Sequence, residues 1–393
     1  MARGYESTHG FINFQLDLDR LHGAGPEFWM LLGEARSKCE HLAKVPMRSD
    51  TATDLHQVFL VKGVMATTAI EGNTLSEDEV RQRLEGKLDL PPSKAYLGIE
   101  VDNIRHAVDG VVQDLYQRRE CDPVSPGMLQ GFNREVLKNL SSHIDDWVVP
   151  GEFRHRGVAV GDAYLAPPAE AVEYLVERMS DWLNSDFFAS SGERRLEMGI
   201  LRAIVAHLYI AWIHPFGDGN GRVARLVEWQ QLLRAGVPVP AAFALSNHYN
   251  VTRTEYYRAL NQANKTPHGV VSFINYALRG FVDGLRDQIK IVHRQQQSLA
   301  WQDWLWQFFA HAGNTPAAQR RHMLVLVLTN QPMTRSEIMS MAAYGERSGK
   351  TLTRDLGYLM KHAIVRREGH TYIGNKELLY QYLPVCTEMA IEG

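Results

Sequence analysis

Cysteine is scarce: Cys39, Cys121 and Cys386 are the only three in 393 residues, widely spaced and without a C-x-x-C. That excludes a disulfide framework and a zinc knuckle, and makes inert buried thiols the expectation. An excess of one charge is lacking too. A net charge of -3 gives the whole chain no attraction to nucleic acid or to an anionic membrane, so any basic surface must be local. Long apolar runs are missing as well. The longest, Ile200 to Ile213, is interrupted by Arg202 and His207 and is shorter than a bilayer requires. The N-terminus, Met1 to Ser7, lacks the apolar core of a signal peptide. A cytoplasmic protein with no membrane partner is expected. What remains is 45% hydrophobic and 22% charged, the balance of a globular chain of more than one domain.

The periodicity is mainly helical. After an N-terminal arm in which Phe14, Leu16 and Leu18 alternate like a short strand, helices are expected from Pro26 and over Thr53 to Met65. Ser76 and Glu79 have the spacing of a capping box. A long helix follows over Ser93 to Gln117, and Ser125-Pro126 is a good helix start. Further helices are expected at 167–185 and 192–213, the latter apolar nearly all round and so central, and from Val270 to Phe309.

The chemistry concentrates in residues 214–225, His-Pro-Phe-Gly-Asp-Gly-Asn-Gly-Arg-Val-Ala-Arg. Gly217, Gly219 and Gly221 alternate around Asp218 and Asn220, and glycines tolerate the positive φ at which successive N–H groups turn inward as an anion nest. A helical pattern follows, stopped by Gly236 and Pro238, so the turn stands at a helix N-terminus that favours phosphate. Arg222 and Arg225, three apart, share a helix face and suit phosphate oxygens. Asp218 is out of place in so positive a setting unless it holds a hard cation such as Mg2+. His214 is suited to accepting a proton near neutral pH. A Gly-rich turn capping a helix would explain the glycines and Asp218, but not two arginines and a histidine with them.

This dodecamer closely resembles the signature of Fic-domain proteins, H-x-F-x-(D/E)-G-N-G-R-x-x-R, with every specified position filled. The resemblance implies a helical Fic core acting as a protein adenylyltransferase on ATP and a Ser, Thr or Tyr hydroxyl of a target protein or of the chain itself. In that reading His214 is the general base and Asp218 holds Mg2+ between the α- and β-phosphates. Asn220 and the N–H groups near Gly219 and Gly221 steady phosphate oxygens. Arg222 neutralises the leaving phosphates and Arg225 takes the γ-phosphate, while Phe216 anchors the loop.

Thr67 to Asn73 reads as a helix end, with Glu71 in the last turn, opposing the dipole, and Gly72 supplying the reversal. It resembles the inhibitory motif of the same family, (S/T)-x-x-x-E-(G/N), whose glutamate pairs with the second signature arginine, here Arg225, until something withdraws it. Residues 151–168 alternate with glycines and predict a β-hairpin. In the family this segment is a flap that docks the target's backbone, which implicates Val158, Val160, Gly161 and Tyr164. Tyr256 to Asn264 resembles the region closing the nucleoside end, with Tyr257 and Asn264 assigned to the adenosine, although adjacent tyrosines also suit a core.

Residues 318–393 read as three helices (Gln319 to Thr329, Thr334 to Ala342, Ser348 to His362) and a strand pair, Ile364 to Arg367 with Thr371 to Ile373. That is the order of a winged helix, which contacts DNA in many proteins. Basic residues only modestly outnumber acidic ones here, so DNA contact, protein contact and simple packing all stand open. Gly345 to Thr351 has the look of a P-loop but carries Tyr344 where glycine is needed, and no strand precedes it.

The expected organisation is therefore mainly α. A helical N-terminal region with the inhibitory motif (1–110) precedes a Fic core with a β-hairpin flap (111–285), a helical linker (286–317) and a winged helix (318–393). Two rival functions remain: removal of AMP at the same site, or a DNA-binding regulator whose Fic core senses nucleotide. A homodimer is expected from the family alone.

Overall fold

The computed structural model describes residues 5–16, 25–47, 49–160, 164–188, 194–266, 268–311, 315–341 and 349–382, with single positions 19, 21, 23, 313 and 344. Leu18, Gly161, residues 345–348 of the P-loop-like stretch and Cys386 lie outside the described residues. The chain divides into two compact units, Met1–Ile289 and Lys290–Gly393.

The first unit opens with α1 (Glu6–His9) and an arm through Leu16 that has no strand partner among the described residues. Helix α2 (Pro26–Lys44) starts on its proline and buries Phe28, Leu31, Leu32, Ala35 and Cys39. Helix α3 (Ser49–Ala69) extends beyond the expected span at both ends. In α4 (Glu77–Leu84) the capping box is formed: Ser76 Oγ accepts from the Glu79 N–H at 3.3 Å, and Glu79 Oε2 accepts from the Ser76 N–H at 2.8 Å. Helix α5 (Ala95–Arg118) and α6 (Pro126–Val136) follow, the latter capped by Ser125 Oγ on the Met128 N–H at 3.1 Å.

A two-stranded antiparallel hairpin, β1 (Ala159–Val160) with β2 (Tyr164–Leu165), interrupts the helices, pairing Ala159 with Leu165 and Val160 with Tyr164. Helices α7 (Val172–Leu183), α8 (Arg195–Ile213), α9 (Asn220–Ala235), α10 (Val239–Ala242), α11 (Ala244–Val251), α12 (Arg253–Ala263) and α13 (Gly269–His311) complete the order. The antiparallel pair α8 and α9 is the centre of the core. Gly199 allows their close approach, since a Cβ there would strike the Ala235 side chain. An 18-residue window within the 19 residues of α8 has a mean hydropathy of 1.5, so by length and composition alone this helix qualifies as a membrane span, as the shorter Ile200–Ile213 run did not; 78% of that window is buried inside the protein.

In the second unit, α14 (Pro316–Asn330), β3 (Met333–Thr334), α15 (Arg335–Ser340), α16 (Gly349–Lys361), β4 (Val365–Glu368) and β5 (Thr371–Gly374) surround a core that includes Trp301, Leu305 and Phe309 of α13. The stretch read as a linker thus supplies core side chains to this unit. The sheet order is β3-β5-β4, all antiparallel, with Tyr372 opposite Met333 on one side and Arg367 on the other. Asp355 of α16 is buried. Arg320 Nε and Arg321 Nε each donate to a different carboxylate oxygen at 2.7 Å, and Tyr344 OH adds a third bond at 3.0 Å.

Candidate active site

Helix α8 runs without a break into His214, which ends it in a left-handed conformation, φ 49°, that a non-glycine residue adopts at some cost. The surroundings hold it there. Its N–H donates to the Ile210 carbonyl at 2.9 Å, and Arg154 Nε donates to its carbonyl at 2.7 Å. Arg154 is buried and also reaches Arg156 O at 2.8 Å and Pro167 O at 2.6 Å, tying both ends of the hairpin to the histidine loop. Burial lowers the His214 imidazole from 6.5 to about 4; the Arg154 charge acts the same way, while the Ala211 carbonyl, Glu71 and Asp218 oppose it. At neutral pH the ring is therefore uncharged and can accept a proton.

The three loop glycines serve three purposes. The expectation that all of them turn N–H groups inward at positive φ is corrected: of the three only Gly219, φ 80°, is left-handed. A Cβ on Gly217 would lie 2.6 Å from Val148 Cγ2 and 2.8 Å from the Trp147 ring, and one on Gly221 would collide with the Glu71 carboxylate. Asn220 has a structural role beside the expected one. Its amide bonds the Phe216 backbone at both ends, Oδ1 accepting from N–H and Nδ2 donating to O at 2.9 Å each, so the side chain closes the loop while its backbone N–H and the second Nδ2 hydrogen are left to meet an anion. Phe216 is fully buried, as an anchor should be. Asn133, also buried, supports the loop from α6 by donating to the Asp218 carbonyl at 2.8 Å.

The two arginines are held by carboxylates. Arg225, 1% exposed, donates from Nη2 to Glu71 Oε1 at 2.6 Å and to the Thr67 carbonyl at 2.9 Å; its Nε and Nη1 are buried without a hydrogen-bond partner among the described residues. Glu71 stands just past the end of α3, where Gly72, φ 101°, reverses the chain. Burial raises the Glu71 carboxyl, but the charge and hydrogen bond of Arg225, then Arg222 and His214, outweigh it and hold it below the usual range. Arg222 lies between Asp218 Oδ1 at 3.2 Å and Glu100 Oε1 at 3.3 Å, and the other Glu100 oxygen accepts from Asn73 Nδ2 at 2.8 Å. Burial raises the Glu100 carboxyl against the pull of Arg222.

A cleft of about 660 Å³ lies over this arrangement. Of the residues singled out in the sequence, His214, Asn220, Gly221, Glu71, Val160, Tyr164, Tyr257 and Asn264 line it. Asp218, Gly219, Arg222, Arg225 and Val158 do not, and Glu71 occupies the wall in front of Arg225. Tyr257 OH also donates to the Ile70 carbonyl at 3.1 Å, so it grips the Glu71 turn as well as facing the cleft. Tyr164 OH donates to the Trp212 carbonyl at 2.6 Å. Arg258 and Asn261 join Asn264 in the lining; their spacing of three along α12 was a readable signal that went unused. Arg154, Asn133, Asn73 and Glu100 carried no such signal, because each acts on an element far away in sequence.

Asp218 offers one half-exposed carboxylate, which also accepts from its neighbour's Gly219 N–H. Among the described residues no group of three or more His, Cys, Asp or Glu is placed to hold a metal by itself. This donor set fits Mg2+ held chiefly by phosphate oxygens and water, with one protein carboxylate.

Residues 123–232 match the family model described as the Fic/DOC family. Protein adenylyltransferase fic-1 of Caenorhabditis briggsae is 33% identical over 201 residues, 51% of this chain and 36% of that protein. Protein adenylyltransferase Fic of Nematostella vectensis is 30% identical over 250 residues, 63% of this chain and 53% of its own length. The chain thus spans between about a third and a half of the curated relatives it matches. Among solved structures, Fic-1 of C. elegans aligns with a TM-score of 0.55 at 25% identity over 67% of this chain and 72% of that one. A Fic family protein from Desulfovibrio desulfuricans G20 aligns at 0.56 over 89% of this chain and 96% of its own, at 20% identity, a likeness of fold alone. The stretch that matches the Fic/DOC family model, residues 123–232, holds the helix-loop-helix that carries the histidine and both arginines.

Proposed function

We propose that the protein is an adenylyltransferase that moves AMP from ATP to a Ser, Thr or Tyr hydroxyl of a protein target, and that Glu71 holds it inhibited. The observation that carries the reading is an uncharged His214 lining a cleft at the N-terminal end of α9, with Arg225 behind Glu71 keeping two buried nitrogens without a hydrogen-bond partner among the described residues. The acceptor hydroxyl oxygen attacks the α-phosphorus, His214 takes its proton, and the bond to the β-phosphate oxygen breaks to release pyrophosphate. Arg222 and Arg225 stabilise the charge that develops on the leaving phosphates, an effect strengthened by their burial. Asp218 would hold Mg2+, which supplies further neutralisation of the phosphates when bound. Glu71 must leave Arg225 before a γ-phosphate can reach it, because one carboxylate and one phosphate would compete for the same fork. Tyr257 and Asn264 are assigned to the nucleoside and the flap to the target's backbone.

The test compares wild type, Glu71→Gly and His214→Ala with Mg2+ and ATP labelled at the α- or the γ-phosphate, in the presence of lysate. The expected result is α-label alone on protein, increased by about tenfold or more in Glu71→Gly and lowered by roughly 10²–10⁴ in His214→Ala. Transfer of γ-label would make the protein a kinase, and absence of label in every variant would remove the reading. The reverse reaction has one observation in its favour, since Glu71 lines the same cleft as His214 and could align a water; release of AMP from a modified protein, lost in Glu71→Gly, would select it. For the second unit we propose a winged helix in which β4 and β5 form the wing.

A further inference from the structure

The N-terminal arm reaches the flap at one point. His9, at the end of α1, is buried, and its Nε2 lies 2.8 Å from the Leu165 carbonyl of β2. Its other ring nitrogen, Nδ1, is 2.7 Å from Thr8 Oγ1, so a proton on Nε2 makes the ring a donor to Leu165 and an acceptor from Thr8. The ring stands edge-on to Tyr164, centroids 6.0 Å apart, and Phe11 packs on Trp212 at 5.0 Å.

The register decides what this bond does. In an antiparallel ladder the residues of alternate opposed pairs bond each other, and those between them point N–H and C=O outward. The Ala166 N–H donates to the Val158 carbonyl at 3.1 Å, and the pairs run Ala159 with Leu165 and Val160 with Tyr164. Ala159 and Leu165 are thus the outward-facing pair. The Leu165 carbonyl, on the outer edge of β2, is occupied by His9. The corresponding groups of Ala159 have no partner among the described residues, and Ala159 and Val160 are exposed.

We propose that His9 is a positioning residue that closes the outer edge of β2 and fixes the hairpin against α8, so that an extended acceptor segment can add only along β1. This rests on the adenylyltransferase reading, with the flap as the dock for the target's backbone, and adds which edge is open: that of β1 at Ala159. Strand addition along β1 also keeps the acceptor beside Val160, which lines the cleft shared with His214.

The test uses the full chain carrying Glu71→Gly as enzyme and the His214→Ala chain, at varied concentration, as acceptor. In the enzyme, His9→Ala is expected to raise KM for the acceptor about five- to tenfold, the effect of one hydrogen bond, with KM for ATP unchanged; His9→Gln, whose amide N–H can replace Nε2, restores most of it. Hydrogen exchange supplies a readout independent of activity: amides of 158–160 and 164–166 exchange faster in His9→Ala and not in His9→Gln. An unchanged acceptor KM together with unchanged exchange overturns the latch. If the Glu71→Gly parent transfers nothing, the proposed function fails, and the exchange comparison still decides whether His9 holds the hairpin.

Discussion

Both units of the chain bury charge, and one buried ion from each, Asp355 and Arg225, is satisfied differently. In the second unit Asp355 has both carboxylate oxygens bonded by two arginines and a tyrosine, all from the same core. In the first, Arg225 is equally buried but has one carboxylate, Glu71, itself 32% exposed at the cleft, and two nitrogens, Nε and Nη1, with no hydrogen-bond partner among the described residues. A buried ion that is fully paired costs little and holds a packing arrangement in place; one that is partly paired is kept at a cost that only a ligand would offset. For these two ions, the complete bonding of Asp355 fits a packing role, and the open donors of Arg225 beside the cleft leave room for a ligand.

The comparison breaks most readily at Asp355. Asp355→Ala takes from Arg320 and Arg321, 13% and 17% exposed, the buried carboxylate they share and is expected to destabilise the second unit by about 3–5 kcal/mol. Chemical denaturation followed by the fluorescence of the tryptophans near it would measure this, and no nucleotide should restore it. A loss under about 1 kcal/mol would mean that water reaches the site and that its complete pairing has no structural meaning.

Glu71→Gly sharpens the contrast. Removing this partner should cost about 1–2 kcal/mol without ligand, because Arg225 keeps its bond to Thr67 O and gains access to water through the cleft. Mg2+ and ATP should then return more than was lost, since saturation at about a hundred times Kd contributes about 2.7 kcal/mol. Thermal unfolding of the variant with and without nucleotide measures both steps. Equal ligand-induced shifts in wild type and variant would show that Glu71 does not compete with the nucleotide for Arg225.

How much of this was legible in the sequence follows from how far each contact reaches along the chain. The signature loop could be read because its chemistry is contiguous: base, acid, glycines and arginines fall within twelve residues, and helix periodicity orients them. Even there, identical glycines were given one explanation where the fold has three, since the Trp147 and Glu71 side chains that forbid a Cβ at Gly217 and Gly221 come from other elements. The loop-closing bonds of Asn220 were missed because residue type cannot tell whether an amide faces outward or closes its own loop. Arg154, Asn133 and Glu100 act across 60, 85 and 122 residues, respectively, and nothing local distinguishes them from surface residues. The Glu71 turn could be read as a helix end, yet its pairing with Arg225 came only with the family resemblance. The helices of both units were legible in kind but less so in extent, as with α3, whose ends packing extends beyond the periodic stretch.

The smallest expected effect is a flat one, and it bears on the same comparison. Because burial lowers His214 to about 4, its neutral form is already complete at pH 6, and kcat/KM of Glu71→Gly should not change through His214 between pH 6 and 8. The rate falls only as the pH approaches 4. The sign for stability agrees: the unfolded chain protonates this histidine near its ordinary 6.5 and the folded chain only near 4, so stability is full above 6.5 and is lost as the pH falls between them. A rate profile with an acid limb near 6.5 would mean that water solvates the ring in the working enzyme. The buried donors of Arg225 would then be open to solvent as well, and their lack of a protein partner would no longer point to a ligand.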